Sequence, residues 1–489
     1  GNLLAGPRGT TISLLVSPYH GGAYRDVKVV REAFTPPSAE AISESNIEYL
    51  RIRRFIAHRT VASLAVAIRR MKEKVIRLIL DLRDSTVGDL YEALDWLAQN
   101  QQRIENKLYR TYVNQVGKPP VLVLYDVTSS YFEGEHNELG EYGYNRDGKK
   151  GKKQIVIGLL AGADGEPLAV RVFEGNTADP STVGTQIDLL KQQFGVSEVV
   201  FIGDRGMIKA KGKEALGAQG WRYISALTKQ QIRALLKRDV LQPDLFDANI
   251  GEVEQDGKRL IVRRNESVQH REQARRSDKL KRLEALIEER NAFVSQSKRA
   301  DPAAGLRQLE QWVKRHKLHG FVTLSLEQEQ ICCEVDQEQM ADVALLDGCY
   351  VLETTVPAEK MDAHTVDKRY RDLQKVERNF KTIKTDFLEV RPIFLRNAQR
   401  TKAHVFVAML ALKITRLFDL LLHKAFGTTD DDPNAITHED ALQSLARLTY
   451  LIYDIKGSCY ARLIQPDDEQ RALLDALGIH FPRQTAKAL

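Results

Sequence analysis

The rhythm of apolar and polar positions changes several times along the chain. Thr11 to Val16 and Tyr24 to Val30 read as strands around His20-Gly21-Gly22, which predicts a β-hairpin over residues 10 to 33. Pro36 and Pro37 break that pattern. From Ser38 to about Val116 apolar residues recur at three- and four-residue intervals, through Leu64, Val66, Ile68, Met71, Val75, Ile76 and Leu80, so the spacing predicts helix. The same stretch is crowded with Arg51, Arg53, Arg54, Arg59, Arg69, Arg70, Lys72, Lys74 and Arg77. Such a run is either a solvated helix face or a surface that neutralises phosphates. No single helix-turn-helix pattern stands out in it.

A different rhythm starts after Pro119-Pro120. Val121-Leu-Val-Leu-Tyr125 is a continuous apolar run, as expected of a strand buried on both faces. Strands over 153 to 160 and 167 to 173 follow, then a helix over 181 to 194, a strand over 198 to 202, a helix over 209 to 216 and a strand over 221 to 226. This β-β-β-α-β-α-β order predicts a mixed sheet with helices packed on it and is compatible with a ribonuclease H-like fold. The α/β rhythm then stops. A hairpin over 246 to 265, a charged helix over 270 to 298 and strands over 321 to 326, 330 to 335 and 350 to 354 read as an insertion. A helix over 363 to 385, an extended stretch over 391 to 394 and a strongly apolar helix over 403 to 426 complete the pattern. The last helix carries Lys413, Arg416, Asp419 and Lys424, so it is a buried or interfacial helix rather than a membrane span. It could be buried in its own monomer or support a dimer.

Composition narrows the class. With 489 residues, 28% charged and 43% hydrophobic, the chain has the balance of a soluble protein of several domains. The net charge of +6 is weak evidence of nucleic acid by itself. Cys332, Cys333, Cys349 and Cys459 lack the paired spacing of a zinc site, and the 11 histidines form no metal-binding pattern. The N-terminal residues show no basic region followed by an apolar stretch, so no secretion signal is expected, and a cytoplasmic protein not associated with a membrane is the expectation.

Two aspartates end apolar strand runs. Asp126 follows Val121 to Tyr125, and Asp204 follows Val199-Val-Phe-Ile-Gly203. A carboxylate placed there is costly unless it caps, pairs or binds a metal. In a sheet of the expected order the two strand ends lie side by side, and like charges held close favour protonation or a divalent cation between them. Oxygen donors without histidine or cysteine nearby suit Mg²⁺ or Mn²⁺ better than zinc. The candidate third carboxylate is Glu377. Tyr370, Glu377 and Lys384 are seven residues apart and would share one face of the helix over 363 to 385. The plain alternative is a solvated charged stripe.

Together these segments resemble an insertion-sequence DDE transposase of the group marked by a Tyr-Arg-Glu-Lys motif, spaced Y-x2-R-x3-E-x6-K. Tyr370, Glu377 and Lys384 fall in place, while Leu373 stands at the arginine position. Arg371, Lys375 or Arg378 could supply the missing charge. Asp126-x-Thr128 followed by Tyr131-Phe132-Glu133, Asn145-Arg146-Asp147-Gly148 and Asp204-Arg205-Gly206 also match the family. The resemblance covers roughly 120 to 425. It implies a ribonuclease H-like α/β catalytic domain with Asp126, Asp204 and Glu377 as catalytic and metal-binding residues. Two Mg²⁺ ions per active site are implied, with Mn²⁺ able to substitute. The implied reaction is metal-dependent cleavage at transposon ends, followed by transfer of the 3′-hydroxyl into target DNA. The implied partners are double-stranded DNA and a second copy of the chain. Tyr370, Lys384, Arg378 and Arg205 become candidate DNA contacts. Trp312 is either a base-stacking residue or a packing residue, and the basic helix over 270 to 290 either follows DNA or is a solvated helix.

The expected organisation is an N-terminal hairpin and mostly helical DNA-binding region over 1–116, and a first part of the catalytic core over 117–226. A β-rich insertion with a charged helix follows over 227–355, then a second part of the core with the Glu helix over 356–425, then a helical C-terminal region over 426–489. Asp147, Glu174 and Glu133 are weaker candidates near the sheet, and His404 reads as a capping or core histidine. A structure-specific nuclease on the same fold, or a transposase-derived DNA-binding protein, are the rival readings. The intact acidic positions count against the second. No G-x-S-x-G or phosphate-binding glycine loop supports a hydrolase or nucleotide-binding alternative.

Overall fold

The computed structural model describes residues 11–16, 25–30, 39–44, 47–52, 77–81, 87–479 and 486–488, apart from 118–120, 135, 206, 248–249, 298–299, 386–387, 430–431, 433, 449, 456–457 and 464 within the long stretch. The chain divides into two compact units, Gly1–Asn100 and Gln101–Leu489.

In the first unit, β1 (Thr11–Val16) pairs antiparallel with β2 (Arg25–Val30), Thr11 opposite Val30. β3 (Ala39–Glu44) pairs antiparallel with β4 (Ile47–Ile52), and β5 (Arg77–Asp81) lies parallel to β4. This corrects the expectation of helix from 38 onward: the described part of 38 to 81 is strand. The reason is local. Ile47-Glu-Tyr-Leu-Arg-Ile52 and Arg77-Leu-Ile-Leu-Asp81 are short runs, for which apolar spacing does not separate helix from strand. Residues 53 to 76, with most of the basic cluster, lie outside the described residues. Helix is present from α1 (Val87–Val116).

The second unit is built on an eight-stranded mixed sheet. Its first strands are β6 (Leu122–Tyr131), β7 (Gln154–Gly162) and β8 (Pro167–Glu174), joined as an antiparallel meander. After α2 (Asp179–Asp188), β9 (Val200–Gly203) returns parallel to β6. α3 (Ala210–Ala218) then leads to β10 (Arg222–Ala226), parallel to β9. Next come α4 (Lys229–Lys237), β11 (Gly251–Gln255), β12 (Lys258–Arg264), α5 (Glu266–Gln296), α6 (Pro302–Arg315), β13 (Val322–Glu327), β14 (Gln330–Val335), α7 (Gln337–Ala344) and β15 (Cys349–Thr354). The sheet order is β11-β12-β15-β10-β9-β6-β7-β8.

The insertion therefore differs from a separate β-rich module. β11, β12 and β15 extend the main sheet, with β15 antiparallel between β10 and β12. What stands apart is mostly helical: α5 and α6 pack with the β13–β14 hairpin around Leu283, Ile287, Leu309, Val313, Phe321 and Ile331. The β10–β15 pairing joins segments more than a hundred residues apart, which local pattern does not register.

α8 (Ala363–Arg371), α9 (Leu373–Ile383) and α10 (Ala398–Phe426) follow. α10 buries Ala403, Val405, Phe406 and Met409, and its Leu422 packs with Ala441 and Leu473. Ile414, Leu417 and Leu420 are exposed on the same helix. The C-terminal region is not all helical. Between α11 (His438–Ala446) and α12 (Asp468–Ala476), β16 (Tyr450–Ile455) pairs with β17 (Ser458–Leu463), and β18 (Ala486–Ala488) adds to β17. Tyr450, Ile452, Tyr453, Ile455 and Tyr460 are the residue types that favour a pleated surface, here split by Gly457. Among the described residues no helix is long and apolar enough to cross a membrane.

One face of the main sheet packs Val123, Tyr125, Val127, Val156, Leu160 and Phe201 against Val183, Ile187 and Leu190, together with Tyr109 and Tyr112 of α1. Glu105 of α1 is fully buried at this layer. Its carboxylate accepts from Arg171 Nη1 at 2.8 Å and Nη2 at 3.0 Å, and from Gln193 Nε2 at 2.9 Å. Truncation would leave a guanidinium without its counter-charge. Glu105→Ala is expected to cost about 3–5 kcal/mol, read as a fall in the urea midpoint, and Glu105→Gln less because it keeps acceptor capacity.

Candidate functional site

Register brings the two aspartates together. Tyr125 of β6 lies opposite Gly203, the last residue of β9, so Asp126 and Asp204 are the next residues on adjacent parallel paths. Asp126 does not end its strand, as the apolar run suggests. β6 continues to Tyr131 because β7 pairs with it as far as Gln154. Tyr125 and Val127 point into the core of α2, so by alternation Asp126 faces the other side of the sheet, where α9 packs on β6. Asp204 leaves the sheet in a turn in which its carbonyl accepts from Met207 N at 3.1 Å and Ser225 Oγ at 3.3 Å.

Glu377 comes from α9. This helix is fixed by buried Val376 and Phe380, and by Lys375 Nζ and Asn379 Nδ2, which donate to Ala163 O at 2.9 Å and Gly165 O at 2.8 Å in the β7–β8 turn. The expected single helix over 363 to 385 is divided. Asp372, at φ −59° and ψ −17°, closes α8 and opens α9, and pairs with Arg369 at 3.2 Å and Lys375 at 2.9 Å. Tyr370, Glu377 and Lys384 therefore do not form a continuous stripe, yet two of them still reach the aspartates' strands. Tyr370 Oη donates to Asp204 Oδ1 at 3.2 Å, and Lys384 Nζ donates to Thr128 Oγ1 at 2.7 Å. Leu373, at the position of the motif arginine, is buried.

Asp126, Asp204 and Glu377 line one cavity of about 280 Å³, together with Thr128, Arg146, Asp179, Arg205 and Phe380. Burial pushes the Asp126 carboxyl up to about 7, and the charges of Asp204 and Glu377 push the same way, while the Val127 backbone N–H and Arg146 pull it down. Glu377 is also raised, by burial and then by Asp204. Asp126 thus feels both other carboxylates across the cavity, and Glu377 feels Asp204. Among the described residues no group of three or more acidic, histidine or cysteine side chains is gathered so that it could hold a metal ion by itself. The arrangement is an open wall of carboxylates. A hard cation at such a wall would need water and phosphate oxygens to complete its shell.

A sequence profile of the family described as transposase DDE domain matches residues 117–414. The chain belongs to the transposase DDE domain family. Solved structures similar to it include a piggyBac transposase synaptic complex with hairpin DNA, at 8% identity and a TM-score of 0.34, with 69% of this chain and 55% of that chain covered. A Mos1 transposase paired-end complex with the left transposon end is similar at 12% identity and a TM-score of 0.17, with 33% and 49% covered. The chain spans about half the length of each. No curated protein sequence matches it.

Behind the cavity, the transposase domain holds a second set of charges. Asp147 is 1% exposed at its side chain, and its Oδ1 accepts from Lys384 Nζ at 2.9 Å and from Arg391 Nη1. Burial lowers the Lys384 ammonium, and Asp147 opposes that shift. Arg146 Nη2 donates to Asp179 Oδ1 at 2.7 Å and Oδ2 at 2.6 Å, and the Arg146 backbone N–H donates to Ser129 Oγ at 2.9 Å. Sequence reasoning placed Asp147 near the site but missed Thr128, Asp179 and Arg391 as its neighbours. Of the cations weighed for the missing arginine, Arg371 pairs with Asp367 and Lys375 is committed to Ala163 and Asp372, while Arg146 and Arg205 line the cavity. Arg378 is exposed on α9 beside Glu377.

The remaining candidates lie elsewhere. Trp312 stacks on His316 at 3.8 Å and packs partly into the insertion's own core, lining a groove between α5 and α6 and not the carboxylate cavity. Glu133 pairs with Lys152 at 2.7 Å on the surface, and Glu174 is exposed at the end of β8. His404 lies 3.4 Å from Val390 O, with burial lowering its imidazole.

The raised Asp126 carboxyl makes a stability prediction for the protein without added metal. A folded-state value above the unfolded one gives stability fully present below about pH 4 and lost as pH rises to about 7. Asp126→Asn cannot ionise and is expected to escape that loss, on the order of 2–4 kcal/mol, so the variant should be more stable than the parent at pH 8. Urea midpoints of both proteins from pH 4 to 8, with chelator present, check this.

Proposed function

We propose that this chain is a DNA transposase whose Asp126, Asp204 and Glu377 form one metal-dependent phosphoryl-transfer centre. The observation that carries the reading is the convergence of the three carboxylates on one cavity inside the span matched by the DDE family. The meander β6–β7–β8 with β9 and β10 parallel to β6 is the strand arrangement of a ribonuclease H-like core, and supports that assignment of fold. Tyr370, Glu377 and Lys384 support membership of the Tyr-Arg-Glu-Lys group, with the arginine absent.

Asp126 and Asp204, with Glu377 across the cavity, are the residues that would hold two Mg²⁺ ions. Bound divalent cations supply charge neutralisation at a phosphate and a more acidic water or hydroxyl. Tyr370 orients the Asp204 carboxylate by donating to Oδ1. Asp147 and Thr128 hold the Lys384 ammonium beside Asp126's strand, where it can meet phosphate oxygens. Arg205 and Arg146 add positive charge to the same wall, and Arg146 restrains Asp126 from protonation. No nucleophilic side chain is required, since water and then a DNA 3′-hydroxyl attack. The partners are double-stranded transposon ends and target DNA, bound by two copies of the chain.

The test is a cleavage and joining assay on a labelled duplex carrying the inverted repeat that flanks the gene, in Mg²⁺ or Mn²⁺. The reading expects nicks at the element boundary and joined products. Cutting without joining would favour a structure-specific nuclease, and tight end-specific binding without cutting would leave a DNA-binding role only.

A further inference from the structure

The connection between β6 and β7 carries a surface that the carboxylates do not use. Residues 141–153 read Glu-Tyr-Gly-Tyr-Asn-Arg-Asp-Gly-Lys-Lys-Gly-Lys-Lys, two tyrosines and five cations against two acids. Tyr142 and Tyr144 are 64% and 81% exposed. Their backbone is nevertheless well tied down. Gln154 exchanges backbone hydrogen bonds with Glu141 at 3.1 and 3.0 Å, and its Nε2 donates to Tyr144 O at 3.2 Å and Gly175 O at 2.8 Å. A Cβ on Gly143 would lie 2.0 Å from Gly175 O, so only glycine allows this approach. An ordered backbone that holds two phenol rings in water forgoes their burial, and such rings mark a surface that meets a partner.

The chemistry of the surface identifies the partner. Lys153 Nζ lies 5.9 Å from the Tyr142 ring centroid and the Arg146 guanidinium carbon 5.4 Å from that of Tyr144, so each ring sits beside a cation. Lys149 and Lys150 are exposed next to them. Alternating aromatic faces and cations are what a nucleic-acid strand with unstacked bases requires. The surface also continues into the site: Arg146 lines the carboxylate cavity and Asp147 holds Lys384.

We propose that residues 141–153 hold an unpaired DNA strand at the mouth of the cavity, with bases stacked on Tyr142 and Tyr144 and phosphates met by Lys149, Lys150 and Lys153. This rests on the transposase reading. Paired bases hide their faces, so the tyrosines act only on a frayed or tailed end, whereas the lysines act on any DNA.

Fluorescence anisotropy with the full chain tests it, comparing a blunt element-end duplex with the same duplex carrying an unpaired thymidine tail. Wild type is expected to bind the tailed duplex more tightly. Tyr142→Ala with Tyr144→Ala is expected to weaken tailed binding by about tenfold or more, to leave blunt binding unchanged, and to be rescued by Tyr→Phe at both positions. Lys149→Gln with Lys150→Gln is expected to weaken both and to reduce the salt slope by roughly 0.7–0.9 per lost contact. Equal wild-type affinity for tailed and blunt duplexes, an alanine variant that binds the tail normally, or a phenylalanine variant that behaves like alanine overturns the proposal while leaving the transposase reading in place. A wild type that binds neither duplex overturns both.

Discussion

Asp126→Asn, Asp204→Asn and Glu377→Gln are each expected to lower element-end cleavage on the order of 10³-fold or more, and any two together are expected to cost little beyond the worse single change. The physical reason is that the three carboxylates face one cavity, where Asp204 and Glu377 raise Asp126 and Asp204 raises Glu377. Removing one leaves the others unable to hold the charge that the reaction needs, so the effects do not multiply. Single-turnover cleavage of a labelled duplex in Mg²⁺ gives the rates. Independent, multiplying effects would mean that the acids serve separate roles. A Glu377→Gln enzyme with near wild-type rate would remove that residue from the centre.

The second large effect is on stability. Asp147→Ala is expected to cost about 3 kcal/mol or more, because Lys384 and Arg391 lose their shared carboxylate, and the Lys384 side chain is only 12% exposed. Asp147→Asn keeps one acceptor and should lose less. The same substitution should slow cleavage, since Lys384 is then held only by Thr128. Urea midpoints measure the first effect and single-turnover rates the second. A stable Asp147→Ala protein would show that water or a local rearrangement satisfies both cations.

That Asp126 and Asp204 come together at one cavity was legible, because a carboxylate closing an apolar run is costly and both stand at such places. The exact position of Asp126 in its strand was not. β9 stops at Gly203 while β7 carries β6 on to Tyr131, so the length of a strand depends on partners that its own residues do not reveal. The Arg146–Asp179 and Asp147–Arg391 contacts join segments 33 and 244 residues apart, with no local pattern to announce them. The seven-residue spacing picked out Tyr370, Glu377 and Lys384 but not the break at Asp372, which puts the first two on separate helices. The insertion was visible as a change of rhythm, whereas the entry of β11, β12 and β15 into the main sheet is a matter of long-range pairing. At the C-terminus, short apolar runs such as Tyr450 to Ile455 fit either period, and strand pairing with β17 decided between them.

The claim that Asp126, Asp204 and Glu377 make one metal centre is tested most directly by titrating Mn²⁺ into the full chain bound to element-end DNA and following free Mn²⁺ by electron paramagnetic resonance. The account predicts saturable binding of about two ions per chain, lost or strongly weakened in Asp126→Asn and Asp204→Asn. Variants that bind Mn²⁺ as tightly and in the same number as the parent protein would contradict it.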